Sequence, residues 1–268
     1  MINSFTKSNL EATLNKYLKT TTPGIQYLVT DKHRTIYEFA GGWSDIQHKK
    51  PMSLNTTLMA YSMTKTFTAL AILQLAQHGK LRLDDPIRGY LPNCPYTENI
   101  TIRQLISHSS GIPNPIPLKW VHRAETHENF DEHAALARVL QKNPRLSFKP
   151  GSKYAYSNIG YWLLGEIIEE VTKQAYISYV SEFILNRLNS QQQKLGFLIP
   201  DFANHAKGYL GKYSMMNLVK GLITDSNLWG PSEGKWIQVK NHYVNGPAFG
   251  GLVGSVQSFA CFLQDQLQ

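Results

Sequence analysis

Apolar positions recur along this chain at two spacings, one helical and one suited to strands. Over residues 5–19 the spacing is helical, with Leu10, Leu14 and Leu18 on one stripe. Residues 24–30 (Gly-Ile-Gln-Tyr-Leu-Val-Thr) and 35–40 (Thr-Ile-Tyr-Glu-Phe-Ala) are rich in β-branched and aromatic types. The polar Asp31-Lys-His-Arg34 between them predicts a hairpin connection. Over 62–78 the period is helical again. Phe67, Leu70, Ala71 and Leu75 make one apolar face, and Gly79 stands where a C-terminal cap is needed. A helix-rich middle runs to about residue 190. It includes 102–107, 132–141 and a strongly apolar 159–171 that resumes after a break and reaches Leu188. Residues 195–245 are less regular, with strands predicted at 196–199 and 235–239. Val256, Phe259, Ala260, Leu263 and Leu267 then predict a helix directly after a glycine-rich turn. No internal repeat is visible.

A chain of 268 residues with 42% hydrophobic and 17% charged residues can bury one large domain or two lobes. No apolar run approaches the roughly 18 residues that cross a bilayer. The start, Met1-Ile-Asn-Ser-Phe-Thr-Lys7, lacks the apolar core of a secretory signal. The expected location is therefore the cytoplasm, or the exterior with a signal already removed. The net charge of +8 is dispersed, the longest basic run being Lys49-Lys50, so a nucleic-acid partner is not predicted. Cys94 and Cys261 have no metal or redox spacing and read as idle thiols.

Chemistry enters with Ser62-Met-Thr-Lys65. On a helix these two side chains lie one turn apart on one face, so the amine can reach the hydroxyl. A serine hydroxyl needs a neighbouring base, and a lysine whose pKa burial lowers can serve. The first-turn backbone N–H of the serine can also face an incoming carbonyl oxygen. The spacing recurs at Ser4/Lys7 and Ser232/Lys235, but only Ser62 opens a long amphipathic helix. Tyr156-Ser-Asn158 follows the turn Pro150-Gly151 and precedes the apolar helix. In an extended connection Tyr156 and Asn158 point the same way. Tyr156, ionised beside Lys65, would be a general base, and Asn158 could hydrogen-bond Lys65 and a substrate amide. Tyr243-Val-Asn245 has the same spacing but reads as a turn before Gly246. His122, His127 and His133, with Glu128 and Glu132, do not fall at i,i+4 on one helical face. No metal or other cofactor is predicted.

Several stretches resemble the serine β-lactamase and penicillin-binding-protein-like hydrolases with the class C motif set. They are Tyr61-Ser-Met-Thr-Lys-Thr-Phe-Thr-Ala69, Gly79-Lys-Leu-Arg-Leu-Asp-Asp-Pro-Ile-Arg-Gly-Tyr-Leu-Pro92 and Ile102-Arg-Gln-Leu-Ile-Ser-His-Ser-Ser-Gly-Ile-Pro113. Lys149-Pro-Gly-Ser-Lys-Tyr-Ala-Tyr-Ser-Asn-Ile-Gly-Tyr161 and Gly250-Gly-Leu-Val-Gly-Ser255 complete the set. The resemblance spans about residues 25–263 in the family's order. It implies an α+β, β-lactamase/transpeptidase-like fold, in which an antiparallel sheet with flanking helices accompanies an all-helical lobe. Residues 1–61 and about 191–268 would form the sheet lobe and 62–190 the helical lobe, together one discontinuous catalytic unit. It further implies Ser62 as the acylated nucleophile, Lys65 and Tyr156 as the proton-handling pair, and Asn158 as partner of substrate and Lys65. His108 matches a structural turn of the family and is expected to fix a loop.

The family's third motif lies on a strand after the segment resembling 250–263, and nothing follows Gln268. The resemblance thus implies a chain truncated before that motif, with the C-terminal strands missing. The 24–40 hairpin would then lack its usual neighbours, and self-association or strand complementation is expected. Two functional readings stay open on the sequence. One is a serine hydrolase that cleaves a small ester, an amide, a D-amino-acid peptide or a β-lactam through an acyl-enzyme on Ser62. The other is a catalytically impaired remnant that binds an acyl substrate or a partner.

Overall fold

The computed structural model describes residues 4–18, 22–96, 98–115, 119–188, 195–223 and 225–268. Helix α1 (Ser4–Tyr17) precedes strands β1 (Ile25–Thr30), β2 (Thr35–Gly41), β3 (Trp43–Asp45), β4 (Lys50–Pro51) and β5 (Leu58–Met59). A 3-10 turn, Tyr61–Met63, leads into α2 (Thr64–Gln77), followed by α3 (Ile102–Ile106), β6 (Val121–Arg123) and α4 (Glu132–Lys142). Next come α5 (Asn158–Thr172), α6 (Tyr176–Phe183), β7 (Gly208–Gly211), α7 (Met215–Ile223), β8 (Trp229–Glu233) and β9 (Trp236–Val239). The chain closes with β10 (His242–Val244), α8 (Pro247–Gly250), β11 (Val253–Gly254) and α9 (Val256–Gln266). The fold is α+β, as the patterning and the resemblance predict.

Two compact units emerge. The first comprises residues 1–59, 188–241 and 253–268. Its β1–β2 hairpin is antiparallel, running in register from Ile25 opposite Gly41 to Val29 opposite Tyr37, with a register shift before Thr30 opposite Thr35. Helix α9 lies along β1. There Gln264 Nε2 donates to Thr30 Oγ1 at 2.6 Å, and the Val256 N–H to Gln26 Oε1 at 3.2 Å. A separate three-stranded antiparallel sheet has the order β7–β9–β8, and β3–β4 and β5–β11 form short pairs. The predicted strand at 196–199 is not formed. Gly196 makes only an isolated bridge to Val253, and the following residues are turn and coil.

The second unit comprises residues 60–187 and 242–252. Its core is α5, where Ile159, Trp162, Leu163, Leu164, Ile167 and Ile168 are all buried. Each such aliphatic side chain removes surface worth about 1.5–3 kcal/mol from water. Ser157 starts this helix, its Oγ accepting the Gly160 N–H at 3.1 Å. Lys173, in the left-handed region at φ 55°, ends it and explains the break in the apolar run. Two further helices begin at side-chain caps, Thr101 for α3 and Asp131 for α4. Gly79 takes φ +67° after α2, the conformation its place in the sequence requires. Residues 121–123, within the middle predicted as helical, are instead strand β6. It pairs with β10, so Tyr243 and Asn245 belong to a strand and its end rather than a turn. Among the described residues no helix is long and apolar enough to cross a membrane.

Candidate active site

Ser62, Lys65, Tyr156 and Asn158 converge within the second unit. The 3-10 turn carries Ser62 and the first turn of α2 carries Lys65, one turn further on. Tyr156 lies in the extended approach to α5, and Asn158 is the first residue of that helix. Ser62 Oγ is 2.7 Å from the Tyr156 hydroxyl and 3.4 Å from Lys65 Nζ. Lys65 Nζ also donates to Asn158 Oδ1 at 2.8 Å and to the Phe249 carbonyl at 2.6 Å.

The surroundings fix this arrangement. Lys65 is 6% exposed. Its amine sits 4.9 Å from the Tyr156 ring centroid, 5.6 Å from Tyr161 and 5.5 Å from Phe249. Burial pushes its pKa down to about 7. Burial moves Tyr156 the other way, upward, and its bond to Ser62 only partly offsets this. The phenol is therefore protonated near neutral pH, and the amine is the group with a lone pair to offer. That direction runs against the ionised Tyr156 expected from the sequence. The three contacts of Lys65 Nζ, to Asn158 Oδ1, the Phe249 carbonyl and Ser62 Oγ, match the three N–H bonds of its ammonium form, and loss of one proton would leave a lone pair that the Ser62 hydroxyl can reach.

Residues that the sequence reading did not single out complete the site. The Phe249 carbonyl is held in place because α8 is pinned to α2. Thr68 Oγ1 donates to the Ala248 carbonyl at 2.6 Å, and the Leu252 N–H donates to Thr64 Oγ1 at 3.1 Å. Asn114 Oδ1 accepts the Asn158 N–H at 3.0 Å. No periodicity signals a backbone acceptor or a loop asparagine, so only coordinates reveal them.

His108 holds the Tyr156 loop. Its carbonyl accepts the Ala155 N–H at 2.8 Å, and its Nδ1 accepts the Ser157 N–H at 3.2 Å. Its ring centroid is 4.5 Å from that of Tyr156. Burial, with a smaller contribution from Lys65, pushes His108 down to about 4. Neutral at physiological pH and bonded at Nδ1, it braces the loop.

The remaining singled-out residues form separate groups. His122 and His127 stack and share a 2.9 Å contact between Nε2 and Nδ1, on β6 and the turn after it. His133 faces Glu166 and Glu169 across α4 and α5, with ligand atoms all within 4.8 Å. Among the described residues that trio could hold a cation, and it shares no residue with the Ser62 cluster. Glu132 instead accepts the Trp162 Nε1–H at 3.1 Å. Ser232 and Lys235 belong to the β8–β9 hairpin, and Lys7 lies on α1. Cys94 and Cys261 are free thiols.

The fold agrees with the comparisons. The family model described as Beta-lactamase matches residues 9–267, and the chain belongs to that family. It is 35% identical over 171 residues to protein Flp of Staphylococcus aureus (strain MW2), covering 62% of this chain and 33% of Flp. Penicillin-binding protein 4* of Bacillus subtilis (strain 168) is 31% identical over 184 residues, covering 65% of this chain and 39% of that protein. The chain thus spans between about a third and two fifths of the length of these curated relatives. Among solved structures, the octameric penicillin-binding protein homologue from Pyrococcus abyssi superposes with a TM-score of 0.74 at 26% identity. That match covers 96% of this chain and 55% of the homologue.

Proposed function

We propose that the second unit carries a serine acyl-hydrolase site that attacks a small ester or amide carbonyl through Ser62. The observation that carries this reading is the convergence on Ser62 Oγ of the Tyr156 hydroxyl at 2.7 Å and of Lys65 Nζ at 3.4 Å, the latter held by Asn158 Oδ1 and the Phe249 carbonyl. In the acylation step the Ser62 proton passes to Lys65 Nζ as Oγ bonds the carbonyl carbon. The first-turn N–H of Ser62 receives the developing oxyanion. Collapse breaks the bond to the leaving group, which takes the Tyr156 proton, and the Lys65 ammonium returns a proton to Tyr156. Water then repeats the sequence on the acyl-enzyme and releases the acid. The pair divides the work because burial separates the two pKa values, bringing the amine near neutrality and keeping the phenol protonated.

β-Lactams and D-amino-acid peptides are alternative acyl donors for the same chemistry, and the penicillin-binding names of two similar proteins support including them. The octameric state of the Pyrococcus abyssi homologue likewise supports self-association as a property to measure by size-exclusion chromatography.

The test is turnover. Wild-type protein is expected to hydrolyse p-nitrophenyl esters, or members of a panel of D-amino-acid amides and β-lactams, and Ser62→Ala is expected to reduce the rate to background. Hydrolysis that survives in Ser62→Ala would refute the proposal. A single burst of acylation without release would favour the reading in which the chain binds acyl donors.

A further inference from the structure

Ser62 is preceded by a residue in an unfavourable conformation. Tyr61 has φ +44°, a left-handed setting that a residue with a bulky side chain seldom adopts. Rotation about the Tyr61 backbone would swing Ser62 away from Lys65 and Tyr156, so the strain persists only if something holds it. The backbone supplies part of the hold. The Ala60 N–H donates to the Leu252 carbonyl at 2.8 Å and the Met63 N–H to the Ala60 carbonyl at 3.1 Å.

The Tyr61 side chain supplies the rest. Its hydroxyl lies 2.9 Å from His242 Nε2, and the two rings are 6.2 Å apart between centroids. His242 begins β10 opposite Arg123 of β6. That two-stranded ribbon is stiffened by a stack of rings. His122 lies flat on Phe130 at 3.7 Å, and His127 on Tyr243 at 4.1 Å. His122 Nδ1 also contacts Asn245 Oδ1 at 2.9 Å. The histidines that do not assemble a metal site thus brace a ribbon whose first residue is tied to the residue before Ser62.

We propose that His242 is a positioning residue, which through the Tyr61 hydroxyl keeps the strained Tyr61–Ser62 backbone in the orientation that presents Oγ to Lys65. This inference rests on Ser62 being the nucleophile. The effect of His242 is transmitted through its contact with the Tyr61 hydroxyl.

The experiment measures acylation of Ser62 by a fluorophosphonate probe and steady-state ester hydrolysis. Variants are Tyr61→Phe, His242→Ala, His242→Gln and the double variant Tyr61→Phe/His242→Ala. Each of the first two is expected to lower the acylation rate and kcat about ten- to a hundredfold, the range a small misplacement of a reacting group produces, with KM little changed. The double variant is expected to lose no more than either single variant, because both remove one contact. His242→Gln, which can still hydrogen-bond the phenol, is expected to recover most of the rate. The pH midpoint of acylation is expected to stay that of the wild type, since Lys65 is untouched.

Tyr61→Phe removes one oxygen and keeps the ring, so it decides the matter if His242→Ala fails to fold. A wild-type acylation rate in Tyr61→Phe, or losses that add in the double variant, would overturn the inference. Ser62→Ala run alongside separates the two claims. Labelling lost in Ser62→Ala but unaffected by Tyr61→Phe rejects only the positioning role.

Discussion

Lys65 brings the sequence motif and the fold together most directly. Its amine is nearly buried among three aromatic rings, and its pKa of about 7 means that half of it is unprotonated at neutral pH. Acylation should therefore rise with pH through a midpoint near 7 and level off above it. Lys65→Arg stays charged at every accessible pH. It should lose about 10²–10⁴ of the rate and the midpoint as well, measured by stopped-flow labelling from pH 5.5 to 9. The same shift has a consequence for stability. Between pH 7 and 10.5 the unfolded chain holds a proton on Lys65 that the folded chain has released, so the stability contributed by this group rises with pH in that window. Relative to Lys65→Met, whose side chain does not titrate, the wild type should gain about 2 kcal/mol from pH 7 to pH 9 in urea unfolding. The pairing of Ser62 with Lys65 was legible from spacing, and Tyr156 and Asn158 from their place before the apolar helix. The upward shift of Tyr156 was not, because it depends on burial that no local pattern encodes.

At the scale of elements, α5 sets the site. Its first residue supplies Asn158, and its middle packs so closely on α8 that a Cβ at Gly165 would stand 2.6 Å from the Ala248 Cβ. Gly165→Ala should push α8, and with it the Phe249 carbonyl, away from Lys65. The expected cost is about 1–3 kcal/mol of stability together with slower acylation, a loss that unfolding and labelling on one preparation would register jointly. Helix α4 packs a carboxyl against the same helix. Burial first, and then repulsion from Glu166 and Glu169, push Glu132 up to about 8. Between pH 4.5 and 8 the folded chain retains a proton there that the unfolded chain loses, so this group's contribution to stability falls as pH rises. Glu132→Gln should be more stable than the wild type by on the order of 2–4 kcal/mol at pH 8 and much closer to it at pH 5, measured by urea unfolding at both values. A constant difference would show that Glu132 is ionised in the fold. The helices were readable from their 3.6-residue stripes and caps. The short strands β6, β7 and β10 were not. Each is only three or four residues long and is defined by a distant partner, as Val121–Arg123 is by His242–Val244.

At the scale of the molecule, the two units differ in how their backbone is secured. The second is built around the buried α5, whereas in the first the β1–β2 hairpin forms a two-stranded sheet covered by α9. Two strands alone are marginal in water, so the hairpin's protection should derive from that helix. In native-state hydrogen exchange the amides of 25–41 should exchange faster than those of 159–168, and Gln264→Ala should widen the gap. Equal protection would mean that the hairpin opens only with the whole chain. The class of fold was legible because several family-like stretches occur in order along the chain. How the strands distribute among separate small sheets was not, since sheet partnership is long-range. Whether burial turns Lys65 into the base for Ser62 can be read from covalent labelling with a fluorophosphonate followed by peptide mass mapping across pH. A single adduct on Ser62 is expected, absent from Ser62→Ala, forming at a rate that rises with a midpoint near pH 7. An adduct on Ser4 or Ser232, or a Ser62 rate that does not change between pH 5.5 and 9, would contradict this expectation.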